Sequence, residues 1–130
     1  MTPEVAQGLA ACIKQQPNLR VLNLNDTSLT DEGVEVVCRA LVGSAPVLEE
    51  LELSLNEITP AGAVAVGLAL VGKPKLWRVN LRENELEDRG AVTISKALAA
   101  VRQGPARSLG CRVLDLQRLW LWFVGCSISN

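Results

Sequence analysis

Glu50 and Glu52 flank Leu51, Arg78 and Asn80 flank Val79, and Asn23 and Asn25 flank Leu24. Each pair has polar side chains two residues apart, which puts both on one face of an extended strand. Paired carboxylates at this spacing could serve acid–base chemistry or hold a divalent metal. Either use needs a pocket that raises a pKa or gathers more ligands, and an open strand face has none. Solvated charges are therefore the expectation for Glu50 and Glu52. The chain has no histidine, which removes histidine triads, imidazole ligands and the commonest general base. Gly33, Gly62 and Gly90 form neither a G-x-G-x-x-G nor a Walker pattern. No catalytic residue, metal or cofactor is assigned. What these side chains can do is recognise another molecule.

The polar pairs are in phase with a repeat, and the repeat must position them. Leu48 to Ile58 reads L-x-x-L-x-L-x-x-N-x-L, with Leu51 and Leu53 alternating against Glu50, Glu52 and Ser54. That is one coil of a leucine-rich repeat, a short strand with leucines inward and polar residues outward. Leu19, Leu22, Leu24, Thr27 and Leu29 repeat the template, as do Leu76, Val79, Leu81, Asn84 and Leu86. A poorer copy runs through Cys111, Leu114, Leu116, Leu119 and Leu121. The amide position, held by Asn56, Asn84 or Thr27, is expected to bond backbone groups the turn would leave unpaired.

Helical patterns recur in the same phase. Thr2, Thr30, Thr59 and Glu87 take the capping positions, followed by apolar faces such as Val34, Val37, Ala40 and Leu41. In the first helix the expected face is Val5, Ala6, Leu9, Cys12 and Ile13, with Cys12 in the small buried slot of Ala40, Ala69 and Ala97. The glycine repeated at 33, 62 and 90 predicts close approach of helix to strand. Pro17, Pro46 and Pro74 end the helix-to-strand loops. Strand and helix each have an apolar face that only stacking can bury. The predicted fold is an α/β leucine-rich-repeat solenoid of three to four repeats, with a curved parallel sheet inside and helices outside. Residues 1–103 form the repeat domain, and 104–130 a divergent tail with a degenerate repeat strand.

On the inner face, alternation places Val21, Asn23 and Asn25, then Glu50, Glu52 and Ser54, then Arg78, Asn80 and Arg82. Val113, Asp115 and Gln117 would follow from the degenerate strand. Strands about 4.8 Å apart make Glu50 a neighbour of Arg78, and Glu52 of Asn80. Asn23, Asn25, Glu50, Glu52, Arg78, Asn80 and Arg82 are the candidate partner-binding residues, a mixed-charge surface suited to a protein. Trp77 is expected to pack against a neighbouring loop.

Hydrophobic residues make up 48% of the 130, and the net charge is −1. That balance suits a globular domain and argues against a broad electrostatic footprint for nucleic acid. No apolar run is long enough for a membrane span; Leu119 to Val124 is far too short. Met1 to Glu4 has neither the basic nor the apolar part of a signal peptide, so the expected compartment is the cytoplasm. Cys12, Cys38, Cys111 and Cys126 are spread too widely to suggest a zinc or disulfide framework.

Asn18 to Leu24, Leu29 to Gly33, Leu48 to Thr59 and Asn80 to Asp88 resemble the later repeats of plant-type Ran GTPase-activating proteins. The nearest wording is Asn84-Glu85-Leu86-Glu87-Asp88-Arg89-Gly90-Ala91. The resemblance covers residues 1–102. It implies a crescent that binds the Ran GTPase in its GTP state and promotes hydrolysis by ordering the GTPase's own machinery. It also implies a place at the nuclear envelope. The family's critical arginine and asparagine lie on earlier repeats, so no catalytic residue is carried over. The alternative is a general leucine-rich interaction module, inhibitor-like or immune-receptor-like.

Overall fold

The computed structural model describes residues 1–102 and 113–115. The elements alternate as α1 (Pro3–Lys14), β1 (Val21–Asn23), α2 (Asp31–Val42), β2 (Glu50–Glu52), α3 (Pro60–Leu70), β3 (Arg78–Asn80), α4 (Glu87–Arg102) and β4 (Val113–Asp115). The strands form one parallel sheet in the order β1-β2-β3-β4. Register follows the repeat: Val21 pairs with Glu50 and Glu50 with Arg78, while Asn23 pairs with Glu52 and Glu52 with Asn80. Arg78 in turn pairs with Val113, and Asn80 with Asp115. This is the α/β leucine-rich-repeat solenoid expected from the spacing. Gln117, Leu119 to Val124, Cys111 and Cys126 lie outside the described residues.

The core lies between sheet and helices. Leu22, Leu51 and Val79 are buried in it from the strands, Leu24, Leu53 and Leu81 from the residue after each strand, and Val34, Leu41, Val66, Leu70, Ile94 and Leu98 from the helices. Burying each such side chain stabilises by about 1.5–3 kcal/mol. Thr2 caps α1 by accepting from the Val5 N–H, and Thr59 caps α3 by accepting from Ala61 N–H at 3.3 Å. Two expected caps differ. Thr30 precedes α2 but makes no side-chain cap bond, and Glu87 is already the first helical residue of α4, at φ 54°.

Which helix positions are buried depends on the neighbouring coil. A Cβ on Gly67 would sit 3.3 Å from the Ala97 Cβ, so this position of one helix meets the Ala40/Ala69/Ala97 position of the next. Cys12 occupies that slot in α1, where no described helix precedes it, and it is exposed rather than buried. Val5 is exposed for the same reason. The buried face of α1 is Ala6, Ala10 and Ile13. The repeated glycines also differ from expectation in what they approach. A Cβ on Gly62 would lie 2.8 Å from Ile58 Cγ2 and 3.0 Å from Val34 Cγ1; one on Gly90 would lie 3.3 Å from Pro60 Cα. Close approach is thus to the start of the preceding helix as well as to the coil's own loop.

Candidate partner-binding face

The strand-to-helix turns position the sheet face, and their amides hold neighbouring coils together. Asn56 Oδ1 accepts from the Thr27 and Leu29 N–H groups at 3.1 and 2.9 Å. Asn56 Nδ2 donates to Leu24 O, Leu53 O and Ser54 O at 2.9 to 3.1 Å, its two protons shared among three carbonyls. Asn84 repeats the arrangement, accepting from Ile58 N–H and donating to Leu53 O, Leu81 O and Arg82 O. The Thr27 hydroxyl, with one proton to donate, lies 2.9 Å from Leu24 O of its own turn and 3.2 Å from Asn56 Oδ1 of the next coil. No earlier coil is described for a longer side chain to bond. The amides are structural, as their position implied.

The register brings the seven candidate residues onto one face, but not as independent solvated charges. Glu52 is only 7% exposed and forms the hub. Its Oε2 accepts from Asn80 Nδ2 at 2.7 Å and from Asn25 Nδ2 at 3.4 Å. Arg78 Nε lies 2.6 Å from Glu52 Oε1, an ion pair whose N–H does not point along the contact. The expectation of a solvated carboxylate therefore fails for Glu52. Its neighbours supply opposite charge and donors, which is what a buried carboxylate requires. Asn80 is buried beside it. Asn23 and Asn80 each accept from the backbone N–H two residues on, at Asn25 and Arg82. Asn25 Oδ1 takes the Ser54 N–H at 2.7 Å. Asn23 and Arg82 are exposed, Asn25, Glu50 and Arg78 are half-buried, and Val21 is 50% exposed. The face is a hydrogen-bonded platform with exposed groups around a closed centre.

Burial pushes the Cys38 thiol up to about 12, so it stays protonated and unreactive. Among the described residues no group of three histidine, cysteine or acidic side chains is arranged to hold a metal.

Two features escaped the reading of the sequence. Trp77 is 41% exposed rather than packed under a loop. It stands in register with Arg20 and Glu49, whose side chains pair at 2.8 Å. That pair holds the Glu49 carboxyl below its usual range and raises Arg20. The second is Leu55, 54% exposed with φ 57°. Asp26 and Glu83 occupy the same place in their coils, at φ 54° and 55°. The signal was available: position 55 precedes the amide, and leucine stands there between two acids.

The charges divide between the two edges of the sheet. Where strands run into helices, Asp26, Glu57, Glu83, Glu85, Glu87 and Asp88 are exposed, against Arg82 and Arg89. Where helices run into strands stand Lys14, Arg20, Lys73 and Lys75, against Glu49. Acids at helix N-termini and bases at C-termini suit the helix dipoles. In the helix layer, Cys38, Val42, Ala61, Val64, Ala65 and Leu68 line a groove of about 420 Å³ between α2 and α3.

Comparison with known proteins gives the same architecture. The chain is 29% identical over 118 residues to mouse NACHT, LRR and PYD domains-containing protein 4C, covering 91% of this chain and 12% of that protein. It is 39% identical over 71 residues to Arabidopsis thaliana RAN GTPase-activating protein 2, covering 55% of this chain and 13% of the relative. The chain thus spans only a small part of the length of either relative. Among solved structures, Leiomodin-1 Actin-Binding Site 2 superposes with a TM-score of 0.74 at 17% identity, covering 99% of this chain and 73% of that one. At that identity the likeness shows the fold alone. The pattern described as Leucine Rich repeat matches residues 15–38, 44–67 and 73–95. With that match over most of the described coils, the chain belongs to the leucine-rich-repeat family.

Proposed function

We propose that the chain is a protein-recognition module whose partner seats on the inner sheet face, acting by binding rather than by chemistry of its own. The observation that carries this reading is the closed network around Glu52. A carboxylate, a guanidinium and two amides from three coils hold one another, so the face is ordered before a partner arrives. Preorganisation of this kind lowers the entropy lost on binding. Glu52 and Asn80 act as positioning residues. Val21, Asn23, Glu50, Arg78 and Arg82 offer the contacts. A photo-crosslinker at Val21 should capture a protein partner that one at Leu68, on the helix layer, does not. Capture from Leu68 alone would overturn the reading.

A narrower reading is that the partner is a small GTPase and the chain part of a Ran GTPase activator. The 39% identity to the Arabidopsis protein supports it. On that reading the chain works in the cytoplasm or at the nuclear envelope. GTP hydrolysis by Ran, followed with and without the chain, tests it. Binding without acceleration would leave a recognition module; neither binding nor acceleration would remove Ran as the partner.

A further inference from the structure

The inner-face reading leaves open what kind of protein surface fits, and the edge beside Leu55 narrows it. Leu55 is a large apolar side chain left more than half exposed to solvent. Its backbone N–H is committed to Arg82 O at 3.0 Å, and Asp26 N–H to Ser54 O at 2.9 Å, so the three turns stack in strict register. Glu57 N–H bonds Leu29 O and Glu85 N–H bonds Ile58 O in the same way, which fixes a second row beside the first. Leucine is therefore flanked by Asp26 and Glu83 in its own row, with Glu57 and Glu85 in the next.

Along the coils Glu57 and Glu85 stand about one strand spacing of 4.8 Å apart, and Asp26 and Glu83 about two, one on either side of Leu55. They do not converge on a point, and among the described residues no group is arranged for a metal ion. A row suits an extended polycation rather than a single cation. Phosphate-bearing partners, nucleic acid or an anionic bilayer, would be repelled. The row is continuous with the sheet face through Ser54 and Arg82, which precede Leu55 and Glu83.

We propose that the edge on which strands run into helices, centred on Leu55, docks a basic protein segment that brings an apolar side chain against the leucine. This rests on the recognition-module reading and specifies its partner. Opposite charge along the edge would set encounter rate and register, and the desolvated leucine contact would set residence time.

The test uses two labelled peptides with identical leucine spacing, one with lysine and one with glutamate at the polar positions, titrated with the full chain by fluorescence anisotropy. The lysine peptide should bind at least about tenfold tighter than the glutamate peptide and weaken as salt shortens the Debye length. Glu85→Lys should weaken it by about fivefold or more, while Glu35→Lys, the same change of net charge on α2, should move it by less than about twofold. Leu55→Asn, which keeps the charge and tolerates the left-handed backbone, should also weaken binding. Equal binding of the two peptides, equal effects of the two lysine substitutions, or indifference to Leu55→Asn would each overturn the proposal. If crosslinking from Val21 persists while the edge variants change nothing, the module reading survives and this one falls. Loss of crosslinking from Val21 removes both.

Discussion

The edge where strands run into helices and the edge where helices run back into strands repeat with the same period, yet they are held by different chemistry. On the first, Asn56 and Asn84 reach across coils and bond backbone groups with side-chain amides. On the second, no such ladder is present among the described residues. The loops there carry Pro46 and Pro74, and Lys73, only 3% exposed, donates to Leu41 O and to Ser44 O at the end of α2. A cation at a helix C-terminus satisfies carbonyls that the helix leaves over. Burial lowers the Lys73 pKa from the ordinary 10.5. The comparison teaches that a neutral amide can join two coils by donating and accepting at once, whereas a lysine can only donate and so caps one neighbour.

The largest effect should come from breaking the amide ladder. Asn56→Ala strands two N–H groups and several carbonyls in the interior, at about 1–3 kcal/mol for each group left unsatisfied, so a loss of about 4 kcal/mol is expected. Chemical denaturation measures it; a loss below about 1 kcal/mol would mean that water replaces the amide. Lys73→Met should cost less, about 1–2 kcal/mol, because it removes a cap on one helix end while its apolar stem stays covered. If the two losses prove equal, the distinction between the edges collapses.

Smaller still, and opposite in sign, is Leu55→Gly. A left-handed backbone costs a non-glycine residue about 1–2 kcal/mol, and glycine adds about 0.5–1 kcal/mol of unfolded-state entropy, leaving a net gain of about 0.5 kcal/mol. A destabilised variant would show that Leu55 packs more than its exposure suggests. The smallest effect concerns the exposed Arg20–Glu49 pair. Hydrogen bonding to Arg20 lowers the Glu49 carboxyl from 4.5, so the pair's contribution is present above 4.5 and fades as pH falls through the lowered value. In Arg20→Gln, an NMR titration of Glu49 should move back toward 4.5. No movement would mean that the pairing does not hold in solution.

Much of the scaffold could be read directly. The leucine spacing set the phase of every described coil, and the strand pairing Val21–Glu50–Arg78 follows from it by simple offset. The inward leucines and the structural amides followed as well, because period two and an unpaired turn backbone leave those residues little else to do. The seven face residues were likewise placed on one face by counting.

What escaped were properties that depend on the adjoining coil. Cys12 and Ala40 hold the same place in their helices, but of the two only Ala40 has a described helix packed before it. Glu52 reads as a surface carboxylate until Arg78, Asn80 and Asn25 arrive from the strands on either side to close over it. Trp77 and Leu55 stay exposed beside polar residues in register with them, Arg20 and Glu49 for the first, Asp26 and Glu83 for the second. Linear sequence by itself determined which residues share a coil, since that is local geometry repeated at a constant interval. Tertiary stacking decided burial, charge pairing and backbone hand, because each is set by residues some twenty-eight positions away.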